Sequence, residues 1–158
     1  MPKISQYTAI TMPQDADVLV VVQGGVTKKV SLNTLKASIS KVKEIIKTAT
    51  GDLTAVEISG TLINNYGQAA DVVLTLPVAV SGLSFMVVCG TTVAKYYRIK
   101  ANTNDKIYLD GTAGADNGYV GIASAAVGAT ITFMAFQTGA EAYDWIATAI
   151  SGNWVAGL

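Results

Sequence analysis

Histidine is absent from the 158 residues. That gap removes the commonest general base at neutral pH, the triads built on an imidazole and most zinc sites. Cysteine is nearly absent too. Cys89 stands alone, so no internal disulfide can form, and its place at the end of the apolar run Phe85 to Cys89 predicts a buried, inert thiol. Phosphate-cradling loops are also missing, since Gly24-Gly25 lacks the further glycines and the Lys-Ser/Thr pair that such a loop needs. No cofactor is expected. Charge is scarce at 14% of residues and sums to zero, whereas 51% are hydrophobic. A mean hydropathy of +0.41 is high for a lone globular chain and points to apolar surface that meets another chain.

Two uncharged stretches, Val72 to Ala94 and Asn117 to Ala140, are long enough to test as membrane spans. Pro77, Gly82 and Gly90 interrupt the first and Gly118, Gly121 and Gly128 the second, with alternation suited to strands, so no membrane partner is expected. Lys3 is not followed by an apolar signal segment, which predicts a chain made in a cytoplasm. The charges that exist are uneven. Residues 28 to 47 hold six Lys and one Glu, a local +5, between flanks of −1 and −4. Those lysines come without arginine or interleaved aromatics, which fits a solvated face and not a nucleic-acid site.

What the sequence does contain begins with one helical pattern, Ser31 to Lys47. Leu32, Leu35, Ile39, Val42 and Ile46 recur at spacings of three and four, Ser31 is a good N-cap, and Gly51-Asp52 supplies a stop. The spacing fits an amphipathic helix packed on its own domain, and equally two heptads of a short self-associating stalk whose Ile39 and Ile46 lean away from a strict dimer. Ahead of it, DVLVVVQ and VTKKV flank Gly24-Gly25, the pattern of a tight hairpin. A lone hairpin is marginal in water and needs something to lie against.

The run ISQYTAITMPQDADVLVVVQGGVTKKVSLNTLKA, Ile4 to Ala37, resembles the N-terminal segment of tailed-bacteriophage virion proteins, among them head fibres, capsid decoration proteins and tail fibres. GTLINNYGQAADVVLTLP, YYRIKANTNDKIYLDG and YDWIATAISGNWVAG resemble such proteins more loosely. The resemblance implies a virion structural protein, not an enzyme. It implies a homo-oligomer, a trimer, anchored on other virion proteins such as the major capsid or tail proteins. Val20, Val22, Gln23, Gly24, Gly25 and Val26 would carry the anchoring, and Leu32, Leu35, Ile39, Val42 and Ile46 the oligomer.

Strand-sized apolar runs then follow one another between turn residues. They include Leu53 to Ile58, Thr61 to Ile63, Val72 to Leu76, Leu83 to Cys89, Tyr96 to Ala101, Thr130 to Phe136, Trp145 to Ala149 and Trp154 to Ala156. This spacing predicts a mainly β protein, an antiparallel β-sandwich or jelly-roll-like domain, with no fixed-period repeat. Three segments result: an anchoring arm over 1–30, an amphipathic helix over 31–50 and a β-sandwich over 51–158. Asp105, Asp110, Asp116, Glu141 and Asp144 could in principle form a carboxylate pair, but the first three sit in turn contexts where Asp bonds its own backbone. Tyr143, Trp145 and Trp154 are the aromatic candidates for a host surface glycan, the alternative role being a carbohydrate-binding adhesin or receptor-binding module; a large ring in a terminal strand also suits a core.

Overall fold

The computed structural model describes residues 18–23, 25–31, 42–91, 93–125 and 127–157. Contacts divide the chain between Val42 and Lys43, and each part is described by itself. In the first, β1 (Val18–Gln23) and β2 (Val26–Ser31) pair antiparallel in unbroken register, from Val18 opposite Ser31 to Gln23 opposite Val26. Valine-rich strands close over a glycine turn in which Gly25 takes φ 77°, a left-handed conformation that a side chain resists. The hairpin expected from the sequence is therefore present.

The second part opens with a correction. The helix expected over 31–50 does not hold at its C-terminal end, because Lys43–Ile46 is strand β3, paired parallel with β5 (Thr61–Asn64). Two adjacent isoleucines suit a pleated strand better than a helix, and pairing with β5 places Ile45 opposite Ile63, whose side chain is wholly buried. Tertiary pairing overrides the local period here. A second correction concerns Leu53 to Ile58, expected as a strand. Leu53 is buried, but Ala55–Ile58 is a one-turn helix, α1, begun by a capping box. Thr54 Oγ1 accepts from the Glu57 amide while the Glu57 carboxylate accepts from the Thr54 amide. Lys47 donates to the same carboxylate, and this bond and then the Thr54 amide hold the Glu57 carboxyl below its ordinary range.

Further along lie β4 (Gly51–Asp52), β6 (Val72–Thr75), β7 (Ser84–Val88), β8 (Val93–Lys100), β9 (Ile107–Leu109) and β10 (Thr112–Ala113). They are followed by β11 (Tyr119–Ala125), β12 (Thr130–Gly139), β13 (Ala142–Ser151) and β14 (Val155–Ala156). One sheet runs β10-β9-β13-β12-β7-β5-β3 and the other β14-β11-β8-β6-β4. The fold is thus mainly β, with two mixed sheets. Antiparallel pairing holds for β8 with β11 and for β7 with β12 and β12 with β13. It fails for β3 with β5, β5 with β7, β4 with β6, β6 with β8 and β9 with β13, which are parallel.

The cause is topological. From β3 to β8 the chain places successive strands in alternate sheets, so each return to a sheet runs in the same direction as the last visit. Hairpins take over only after β8. The β9–β10 hairpin turns on Asp110 and Gly111, both left-handed at φ 48° and 86°, as a two-residue primed turn demands.

Alternation along the longer strands, β5 to β8 and β11 to β13, sends alternate side chains into one continuous core. Phe85, Phe133 and Trp145 come from the first sheet, and Leu74, Tyr97, Ile99 and Val120 from the second. Phe85 stacks on Phe133 with centroids 4.9 Å apart and meets Trp145 edge-on at 5.8 Å. The register is testable by truncation: Phe133→Ala is expected to lower unfolding free energy by about 3–5 kcal/mol. Its outward neighbour Thr132 should give less than about 1 kcal/mol when changed to Ala. Chemical denaturation measures both, and equal costs would contradict the assigned faces.

Candidate functional site

The aromatic candidates separate at once. Trp145 is fully buried against Phe85, and Trp154 is 5% exposed with its indole N–H donating to the Ser151 carbonyl at 2.9 Å. Neither can stack on a sugar, which corrects the glycan face expected from them. Apolar neighbours in β12 and β13 outcompete the surface for rings of this size. Only Tyr143, half-buried, reaches an open hollow of about 320 Å³.

That hollow gathers four of the five carboxylates named from the sequence, Asp105, Asp116, Glu141 and Asp144, while Asp110 stands elsewhere. Most already serve the backbone. Asp105 is buried and its Oδ2 accepts from the Ala79 amide at 2.8 Å; Asp144 Oδ1 accepts from the Lys106 amide at 2.8 Å. Asp116 pairs with the Lys106 ammonium at 3.4 Å, and Asp110 Oδ1 accepts from the Ala149 amide at 3.2 Å. The contacts of Asp144 and Asp110 tie a loop to β13 and those of Asp105 and Asp116 tie loop to loop, which places these carboxylates as local fasteners. Among the described residues no group of three His, Cys, Asp or Glu side chains is arranged to hold a metal ion.

A second fastener is an amide network that sequence reasoning did not single out. Asn65 and Gln68, both buried, bond each other at 2.9 Å. Asn65 Oδ1 accepts from the Gly90 amide, and Gln68 Nε2 donates to the Ala70 and Tyr96 carbonyls. The network pins the β5–β6 loop against the start of β8, and its signal was the polar NNYGQ string between two apolar strands.

The association residues fare unevenly. Leu32, Leu35 and Ile39 lie outside the described residues, as does Gly24 of the anchoring set. Val20, Val22 and Gln23 lie in β1, and Val26 opens β2 with 58% of its surface exposed. Val42 and Ile46, expected on a helical seam, are exposed at 67% and 55%, the latter in β3. Register places Ile46 on the outward side of the first sheet, in the row of Asn64, Val88 and Thr130; the next rows hold Leu62 with Met86, and Met134 with Ile146. Met134 is 56% exposed, and Tyr108 and Phe136 meet edge-on at the far side of that face. This outward face is strongly apolar for a sheet surface.

Among the described residues no helix is long and apolar enough to cross a membrane. No protein-family model matches the chain, and no curated protein is significantly similar to it.

Cys89 is wholly buried, and burial pushes its thiol up to about 11. At pH 8 a soluble thiol reagent is therefore expected to label the native protein at least about a hundredfold more slowly than the denatured chain, following global opening. Labelling of the native state within tenfold of the denatured rate would contradict the burial.

Proposed function

We propose that this protein is a non-enzymatic structural component of a tailed-phage particle, a head fibre or capsid decoration protein. It attaches through the N-terminal arm to a major capsid or tail protein and displays its β-domain on the capsid or tail surface. The observation that carries this reading is the β1–β2 ribbon. Its two strands pair with each other alone among the described residues, which leaves an unpaired row of backbone donors and acceptors on each outer edge. Such a ribbon is marginal by itself, and strand addition to a partner would complete it. The resemblance of Ile4 to Ala37 to virion proteins supplies the kind of partner.

The β-domain is, in this reading, a sandwich of two mixed sheets and the protein is a trimer. Self-association rests on the outward face of the first sheet, where Ile46, Met86 and Met134 are exposed, and not on a helical seam. Methionine and aromatic residues are enriched at contact surfaces, and this face carries both. The adhesin reading loses its support with the burial of Trp145 and Trp154.

Two measurements test the proposal together. Light scattering of the full chain should give three times the 16.4 kDa chain mass, and Met134→Lys should return it to one with an unchanged circular dichroism spectrum. A monomer at high concentration would contradict the trimer, and an intact trimer in the variant would remove this face from the contact. Antibody-labelled electron microscopy should then find the protein on the outer surface of the phage particle, and its absence from purified particles would overturn the structural role.

A further inference from the structure

Arg98 is the single arginine of the chain, and its setting has no counterpart elsewhere among the described residues. Strand β8 presents Tyr96, Arg98 and Lys100 outward in succession, and β11 lies beside it with Gly121 opposite Arg98 and Tyr119 opposite Lys100. The guanidinium carbon sits 4.2 Å from the Tyr96 ring centroid and 5.5 Å from that of Tyr119. Gly121 makes the space: a Cβ there would come within 2.9 Å of Arg98 Cγ and 3.1 Å of the Tyr97 carbonyl oxygen. The side chain thus lies across a glycine floor between two tyrosines.

Among the described residues no carboxylate comes within 4.0 Å of the guanidinium, although Asp71 lies close by, its Oδ1 accepting from the Tyr96 amide. Arg98 Nε is buried without a hydrogen-bond partner, and it is the only one of the three guanidinium nitrogens so enclosed. Stacking uses the flat face of a guanidinium and leaves its in-plane donors free, with the rotamer already fixed. A fixed, unpaired, partly covered cation beside aromatic rings costs little to order when a planar anion arrives.

We propose that this outer face of the second sheet binds a carboxylate-bearing sugar ring, with the carboxylate on the outer guanidinium nitrogens of Arg98 and the sugar against Tyr119. Tyr119 is the better platform because the guanidinium covers its ring less closely than that of Tyr96. Lys100, one outward position on, supplies a second positive charge for the next acidic residue of an oligosaccharide. The site does not depend on the particle reading, and it is distinct from Tyr143, Trp145 and Trp154.

The test is titration of the full chain with oligogalacturonate, its neutral methyl ester and polyglutamate at 150 mM salt. Oligogalacturonate is expected to bind, and the methyl ester and Arg98→Gln each to weaken binding about tenfold or more. Arg98→Lys, which keeps the charge and loses the planar fork, should fall between. Gly121→Ala, with folding checked by near-ultraviolet circular dichroism, should weaken binding by lifting Arg98 from its floor. Undetectable binding of oligogalacturonate, equal binding of the ester, or full binding by Arg98→Gln would overturn the proposal. Tighter binding of polyglutamate would overturn the sugar assignment, since it would place an acidic peptide on this face.

Discussion

The two sheets of residues 43–158 share one apolar interior, and nearly everything else follows from the need to fill it from both sides. The stacked pair Phe85 and Phe133 with Trp145 edge-on fills the side of the first sheet, and Tyr97, Ile99 and Val120 fill the side of the second. Since period-2 alternation is the only way a strand can face such an interior, each strand commits its other side outward. That commitment puts Met86 and Met134 on one surface and Arg98, Tyr96 and Tyr119 on the other. The two surfaces differ in chemistry because their strands carry different residues at the outward positions.

The way the chain visits the two sheets explains why pairing between strands from β3 to β8 is parallel. Alternate placement of β3 to β8 stacks strands in the same direction, while the antiparallel pairs β8 with β11 and β7 with β12 and the β12–β13 hairpin complete the sheets. Parallel neighbours need long connections, and here those connections are the opposite sheet itself together with α1 and the Asn65–Gln68 loop. Buried amides in that loop stand where a tight turn would stand in a meander.

Strand positions were legible because β-branched and aromatic runs alternate with turn residues, and the turn context of Asp110 is met by the left-handed Asp110-Gly111 pair. Parallel pairing was not legible, since a strand's sequence says how many of its faces are buried but not the direction of its neighbours. Lys43 to Ile46 misled because five apolar residues at helical spacing ended on Ile46, which with Ile45 serves a strand as well. Thr54-x-x-Glu57 was a readable capping box hidden inside an apolar run. Trp145 and Trp154 could have faced either way, and only the fold settles it, Trp145 within β13 and Trp154 just ahead of β14. The Arg98 ledge needs residues from two strands, so no local pattern could assemble it.

Strand formation by Lys43–Ile46 moves Ile46 from a helical seam to the outward face of a sheet. Nuclear magnetic resonance of the full chain measures it directly. Interstrand contacts between the backbone protons of Lys43–Ile46 and Thr61–Asn64, in a parallel register with Ile45 opposite Ile63, are the expected result. Sequential amide contacts with i to i+3 contacts through residue 46 would contradict it and restore the helix.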